Sequence, residues 1–164
     1  FRLAAGKDGR RALFAWTKDG AGNISPRASA STLLDRVGPR VTVMAPAEGA
    51  KVPLLTSIRG TSLDPAPGAG VTMIRYAIRR AHGDSCDWWR PRAGSAVVGA
   101  CDEPEWSSVR PRRSWQQSVG RLSSAGSWTL LVEARDGAGN VTRVARRFTI
   151  GARSGASGTS MGQP

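Results

Sequence analysis

Apolar and polar residues alternate along much of this chain with a period of two, the spacing of a strand that lays one face on a core. The clearest case is residues 71–80, where Thr72, Ile74, Tyr76 and Ile78 share one face and Arg75 and Arg79 the other. That pattern predicts a half-buried strand with a wet opposite face. Trp128, Leu130, Val132 and Ala134 alternate in the same way, as do Phe148 and Ile150 against Arg147 and Thr149 within residues 141–150. Shorter extended stretches are predicted at Val41-Thr42-Val43, from Leu54 to Thr61, and at Trp115-Gln116-Gln117-Ser118-Val119. Breakers separate them. Pro46 and Gly49 close one strand, and Asp64-Pro65-Ala66-Pro67-Gly68-Ala69-Gly70 must be a loop. Residues 81–114 lack the alternation and read as an irregular segment.

A second pattern is longer. Residues 18–25 read K-D-G-A-G-N-I-S, and 117 positions later residues 135–142 read R-D-G-A-G-N-V-T. Each copy follows an apolar stretch and leads into another extended run, the mark of tandem copies of one β-rich module. Asp19, Gly20, Gly22 and Asn23, and likewise Asp136, Gly137, Gly139 and Asn140, suit tight hairpin turns: these residue types tolerate positive φ, and the carboxylate accepts backbone N–H groups. Carboxylate and amide oxygens also suit calcium. Each copy offers one carboxylate, so a structural turn is expected and no metal.

Residues 1–36 are therefore expected to be the C-terminal hairpin of a preceding module, because two strands alone are marginal in water. Pro39 stiffens the joint that follows. Residues 37–150 form the complete module, with residues 81–114 as an insert, and the Gly/Ser-rich residues 151–164 are expected to be a flexible tail. Seven short strands in about 110 residues fit an antiparallel β-sandwich of Ig type. Opening on Phe1 without a charged-then-apolar leader, the sequence is expected to be a piece of a longer one.

Composition changes this picture in two places. The 24 Lys+Arg against 12 Asp+Glu give a formal charge of +12, which invites a polyanion reading. The arginines are spread along many strands, without a reading helix or zinc knuckle, so a solvated surface is expected and nucleic acid is not. Cys86 and Cys101 flank a turn-like Arg92-Ala93-Gly94-Ser95, which predicts a disulfide across a hairpin and an oxidising compartment. One His and no further Cys exclude a zinc site by ligand count. No run reaches the ~18 apolar residues of a membrane-spanning helix.

The run from Leu122 through Gly126, Trp128, Leu130, Val132, Ala134, Asp136, Gly139 and Asn140 resembles the last hairpin of bacterial Ig-like modules, close in pattern to fibronectin type III domains. Thr32-Leu33-Leu34-Asp35 through Pro39, Val41-Thr42-Val43 and Pro46 resemble the passage between such repeats. Ile58-Arg59-Gly60-Thr61 through Asp64 resembles their second strand and loop. The resemblance implies an Ig-like, fibronectin type III-like sandwich that is secreted or on a cell surface, with neighbouring domains as partners and no cofactor. It also implies that Trp128 stands where such modules put a corner tyrosine, as a core anchor.

Catalysis finds little support. In His82-Gly83-Asp84-Ser85 the lone His is too near the serine in sequence to serve as its base, and Cys86 follows where such a motif needs Gly. Asp87, Asp102, Glu103 and Glu105 are expected to pair with Arg90, Arg92 or Arg110. No enzyme is expected. The open alternative is carbohydrate binding by Trp88, Trp89 and Trp106 around the disulfide, which requires wet, roughly coplanar indoles. These Trps could equally close the end of the sandwich as a small satellite core.

Overall fold

A computed structural model describes residues 6–151. The tail expected beyond residue 151 lies outside the described residues. Every regular element among the described residues is a strand. β1 (Gly9–Ala15) and β2 (Ala28–Leu34) form an antiparallel hairpin that pairs with no other strand among the described residues. A three-stranded sheet follows the order β10 (Ser114–Leu122), β5 (Leu55–Leu63), β3 (Arg40–Ala45). The larger sheet runs β4 (Ala50–Val52), β12 (Val141–Ile150), β11 (Gly126–Asp136), β6 (Val71–His82), β7 (Ser85–Arg90), β8 (Ser95–Ala100). β9 (Ser107–Val109) pairs with β6 off that path. All pairings are antiparallel except β12 with β4.

The two sheets pack face to face as an all-β sandwich of Ig-like order, with β3, β5 and β10 on one side and β12, β11 and β6 on the other. The core between them joins Val43, Ile58, Trp115, Val119 and Leu122 of the small sheet to Ile74, Tyr76, Ile78, Leu130, Val132 and Phe148 of the large one. Trp128 lies in that core at 1% exposure, and its indole N–H donates to the Ser124 carbonyl at 2.9 Å. The indole thus closes the corner before its own strand. Gly60 faces Trp115 across β5 and β10, and a Cβ there would sit 2.4 Å from the indole. Only a glycine lets that ring lie flat on the neighbouring strand.

Two expectations need correction. The segment 81–114 is not irregular: its β7–β8 hairpin extends the large sheet, and its β9 returns to β6. The face of β6 expected to be wet is covered. Ala77 on that face is 1% exposed and joins Cys86 and Trp88 in a second, smaller core. Val97, Cys101, Trp106 and Leu131 pack against this outer core. Alternation fails in β7 because both its faces are buried, so the residue after each apolar one has no reason to be polar.

The Cys86–Cys101 disulfide ties β7 to the residue just after β8, with Cα atoms 5.1 Å apart. In the chain-entropy view, a closed loop of this length stabilises by about 3 kcal/mol. A Cys86→Ser/Cys101→Ser double variant is expected to lose about that much in urea unfolding. Trp128→Ala is expected to lose about 3–5 kcal/mol, and a variant that melts with the unmodified chain would remove Trp128 from the core.

Candidate functional site

The two D-G-A-G-N turns fold alike. The Asp19 carboxylate accepts the N–H groups of Ala21 and Asn23 at 3.0 and 2.8 Å and the Asn23 side-chain amide at 2.8 Å. The Asp136 carboxylate accepts Ala138 and Asn140 N–H, both at 2.9 Å, and the Asn140 amide at 2.8 Å. Gly22 and Gly139 take φ of 92° and 94°, where a side chain would be strained. These hydrogen bonds, led by the Asn23 side chain, hold the Asp19 carboxyl below its usual range. At Asp136 burial pushes upward, but bonds from Asn140, Ala138 and Gly139 bring the carboxyl below its usual range as well.

Their surroundings differ. The first turn is exposed, whereas the second holds the joint that leads into the module. The Asn140 amide also donates to the Asp35 carbonyl at 3.2 Å, and the Asp35 carboxylate accepts the N–H of Ala69 at 2.8 Å. Gly137 N–H reaches the Gly70 carbonyl at 2.9 Å. Joint, loop 64–70 and turn are thereby stitched together.

The stitching gathers three carboxylates. Oxygens of Asp35, Asp64 and Asp136 lie within 4.8 Å of one another, and none has a cationic partner among the described residues. These are the side chains of the described chain close enough to share a cation. The sequence view of one carboxylate per turn missed the two that arrive from the joint and the loop. Burial pushes the Asp64 carboxyl above its usual range, and the charges of Asp35 and Asp136 push it further.

The insert residues separate into two sites. Trp88 and Trp89 are adjacent in β7, so their indoles project to opposite faces of the sheet. Trp88 lies in the outer core at 1% exposure, its N–H donating to the Ala100 carbonyl at 2.9 Å. Trp89 lies in the main core at 5% exposure, its N–H donating to the Val119 carbonyl at 2.7 Å. A coplanar stacking pair of Trp88 and Trp89 is thus corrected by strand geometry itself. Trp106 is partly exposed and lies beneath the Arg75 guanidinium, 4.5 Å from the ring centre.

A groove of about 660 Å³ opens beside these residues. Its cause is topological. β9 pairs with β6 only from Ile74 to Tyr76, and β7 takes the same edge of β6 from Arg79 onward. Between these pairings the two strands part. Tyr76, Trp89 and Trp106 line the opening, with Arg90 to Ala93 on one side, Glu105 to Ser108 on another and Gln117, Ser118 and Gly120 of β10 closing it. Arg90 and Glu105 pair at 2.8 Å, both side chains about half exposed.

Of the expected carboxylate pairings, Glu105 with Arg90 is present. Asp87 pairs instead with Arg80 and His82, each at 2.7 Å, because the β6–β7 register sets Arg80 opposite Asp87. Those two partners, His82 first, hold the Asp87 carboxyl below its usual range. Ser85 Oγ donates to the His82 main-chain carbonyl at 3.3 Å and not to its ring, so this turn assembles no nucleophile and base.

Neither a protein-family model nor a curated protein matches the chain. Among solved structures it is similar to CopC from Methylosinus trichosporium OB3b, at 14% identity and a TM-score of 0.39 over 70% of this chain and 96% of that one. It is also similar to the fibronectin(III)-like modules of Clostridium thermocellum CbhA, at 16% identity and a TM-score of 0.44 over 92% and 66%. Murine CRIg shares 11% identity at a TM-score of 0.31 over 70% and 98%. All three scores lie below 0.5, so the Ig-like order rests on the strand topology.

Asp64 and Asp87 should respond to pH with opposite signs. A carboxyl raised on folding costs stability while ionised, and the cost is relieved as pH falls through its folded pKa toward the unfolded 3.8. Asp64→Asn is therefore expected to raise Tm at neutral pH, with the gain fading in acid. A lowered carboxyl stabilises above 3.8 and loses that contribution as pH falls through its folded pKa. Asp87→Asn is expected to lower Tm at neutral pH and to converge on the unmodified chain in acid. Melting curves across a pH series check both signs.

Proposed function

We propose that this chain is a non-catalytic spacer, adhesion or domain-presenting unit of a secreted or cell-surface bacterial protein built from tandem Ig-like modules. Residues 1–36 are the end of one module and residues 37–150 the next. The observation that carries this reading is the fastened joint: Asp35 accepts from Ala69 and Asn140 on two separate loops of the module that follows. A chain whose modules only happened to be neighbours would have no need of it. A fastened joint turns successive sandwiches into a stiff rod, which holds a terminal domain away from its anchor.

Two further observations support the reading. Among the described residues β1 is paired on one edge only, whereas β11, which follows it by one repeat, pairs with β12 on one side and β6 on the other. The hairpin also leaves Phe14 and Trp16 at 50% and 60% exposure, as expected of a piece whose remaining strands belong to a preceding module. A disulfide whose Cys86 is fully buried fits an extracytoplasmic chain.

Trypsin gives the test, because Arg36 lies in the joint and is exposed. Asn140→Ala removes the bond to Asp35 and is expected to speed cleavage after Arg36 several-fold, while the disulfide-linked core resists. Equal cleavage rates in the variant and the unmodified chain would mean that the joint is not held by this turn, and the stiff-rod reading would fall.

A further inference from the structure

We infer that the groove between β7 and β9 is a binding site for an acidic saccharide, a pyranose carrying a carboxylate. Its volume of about 660 Å³ lies within the ~300–1,000 Å³ typical of small-molecule sites. Its lining is mixed in the way a sugar is mixed. Trp106, partly exposed, supplies aromatic surface for the C–H face of a pyranose above a buried floor of Tyr76 and Trp89, while Ser107, Ser108 and Gln117 supply hydroxyl and amide partners for its hydroxyls. A purely apolar ligand would strand those polar groups without partners, at a cost in affinity.

Trp89 contributes no donor, because its indole N–H is already bonded to Val119. Trp106 differs: its N–H has no acceptor among the described residues, and the ring is partly exposed. Trp106 is therefore the aromatic side chain of the lining that a sugar can reach.

The acidic class follows from the arginines. The walls carry Arg90 and Arg92 against Glu105 alone, and Arg90 is already paired with Glu105. Arg92 is exposed and has no carboxylate partner among the described residues. A planar guanidinium at the rim of an aromatic groove matches a carboxylate through two parallel N–H bonds. The formal charge of +12 draws anions toward the molecule as a whole, and the groove is where one would find shape as well as charge. The Arg90–Glu105 pair joins two walls while half exposed, so it is weak enough to open for a ligand.

Trigalacturonate, maltotriose and polyphosphate are the probes, titrated into the oxidised chain at physiological salt and followed by calorimetry and tryptophan fluorescence. Trigalacturonate is expected to bind with a fluorescence change, and maltotriose to bind at least several-fold more weakly. Arg92→Ala is expected to weaken trigalacturonate about tenfold, roughly the loss of one charge-assisted contact. Gln117→Ala should weaken both sugars together. Arg92 is exposed and Gln117 half-buried on the groove wall, so a melting curve establishes that each variant is folded. No heat or fluorescence change with trigalacturonate at millimolar concentration overturns the site. Equal or tighter binding of maltotriose overturns the acidic class. Trigalacturonate binding that polyphosphate matches and Arg92→Ala leaves unchanged overturns the groove in favour of scattered surface arginines.

Discussion

Neighbouring residues of a β-strand point to opposite faces, and in this protein that rule meets two adjacent tryptophans. Trp89 enters the main core and Trp88 must then project from the other side of the sheet. A tryptophan buries on the order of 150–250 Å², worth several kcal/mol, so an uncovered Trp88 would forfeit much of what the strand contributes. The outer face is accordingly roofed by side chains: Val97 and Leu131 from the same sheet, Cys101 of the disulfide, and Trp106. The sandwich thus acquires a second, smaller core on the outer side of one sheet. The groove is a by-product of that roof, formed where its outgoing strand and its returning strand leave a common edge.

Arginine makes the roof tolerable. Arg75 stacks on Trp106 and pairs with Glu133 at 2.7 Å, and Arg143 approaches the same carboxylate from β12 at 2.5 Å. Glu133 is only 1% exposed, a position an unpaired carboxylate could not hold. Arg79 donates to the Cys101 carbonyl at 2.7 Å, and Arg80 lies over Trp128 while bonding Asp87 and the Ala125 carbonyl. A planar, weakly hydrated cation can lie against an indole and still satisfy a carboxylate at its edge, which an ammonium does poorly. Much of the positive charge of β6 therefore works inside the molecule, which weakens the polyanion reading that composition alone invites.

The repeated octet shows how one local structure takes different duties. Asp19 and Asp136 organise their turns through the same set of bonds, since the geometry is written in adjacent residues. Only the second turn has Asp35 and Gly70 beside it. That meeting sets three carboxylates together with no Lys or Arg paired to them among the described residues, so the joint combines tight stitching with mutual repulsion of these side chains.

Features that depend on neighbours along the chain were legible in residue order. Residues 128–134 and 141–150 show their inward faces by alternation, the two turns follow from Asp, Gly and Asn, and Cys86 and Cys101 flank a legible hairpin. Strands covered on both faces lose that alternation, so β7 and its place in the large sheet could not be read from pattern, and β9 is too short to show one. Tertiary structure alone decided which Trp faced which core, that Asp35, Asp64 and Asp136 would meet, and that a groove would open between β7 and β9. Each of these depends on strands distant in sequence sharing an edge or a face, and a periodic pattern carries no information about which distant strand will supply the partner.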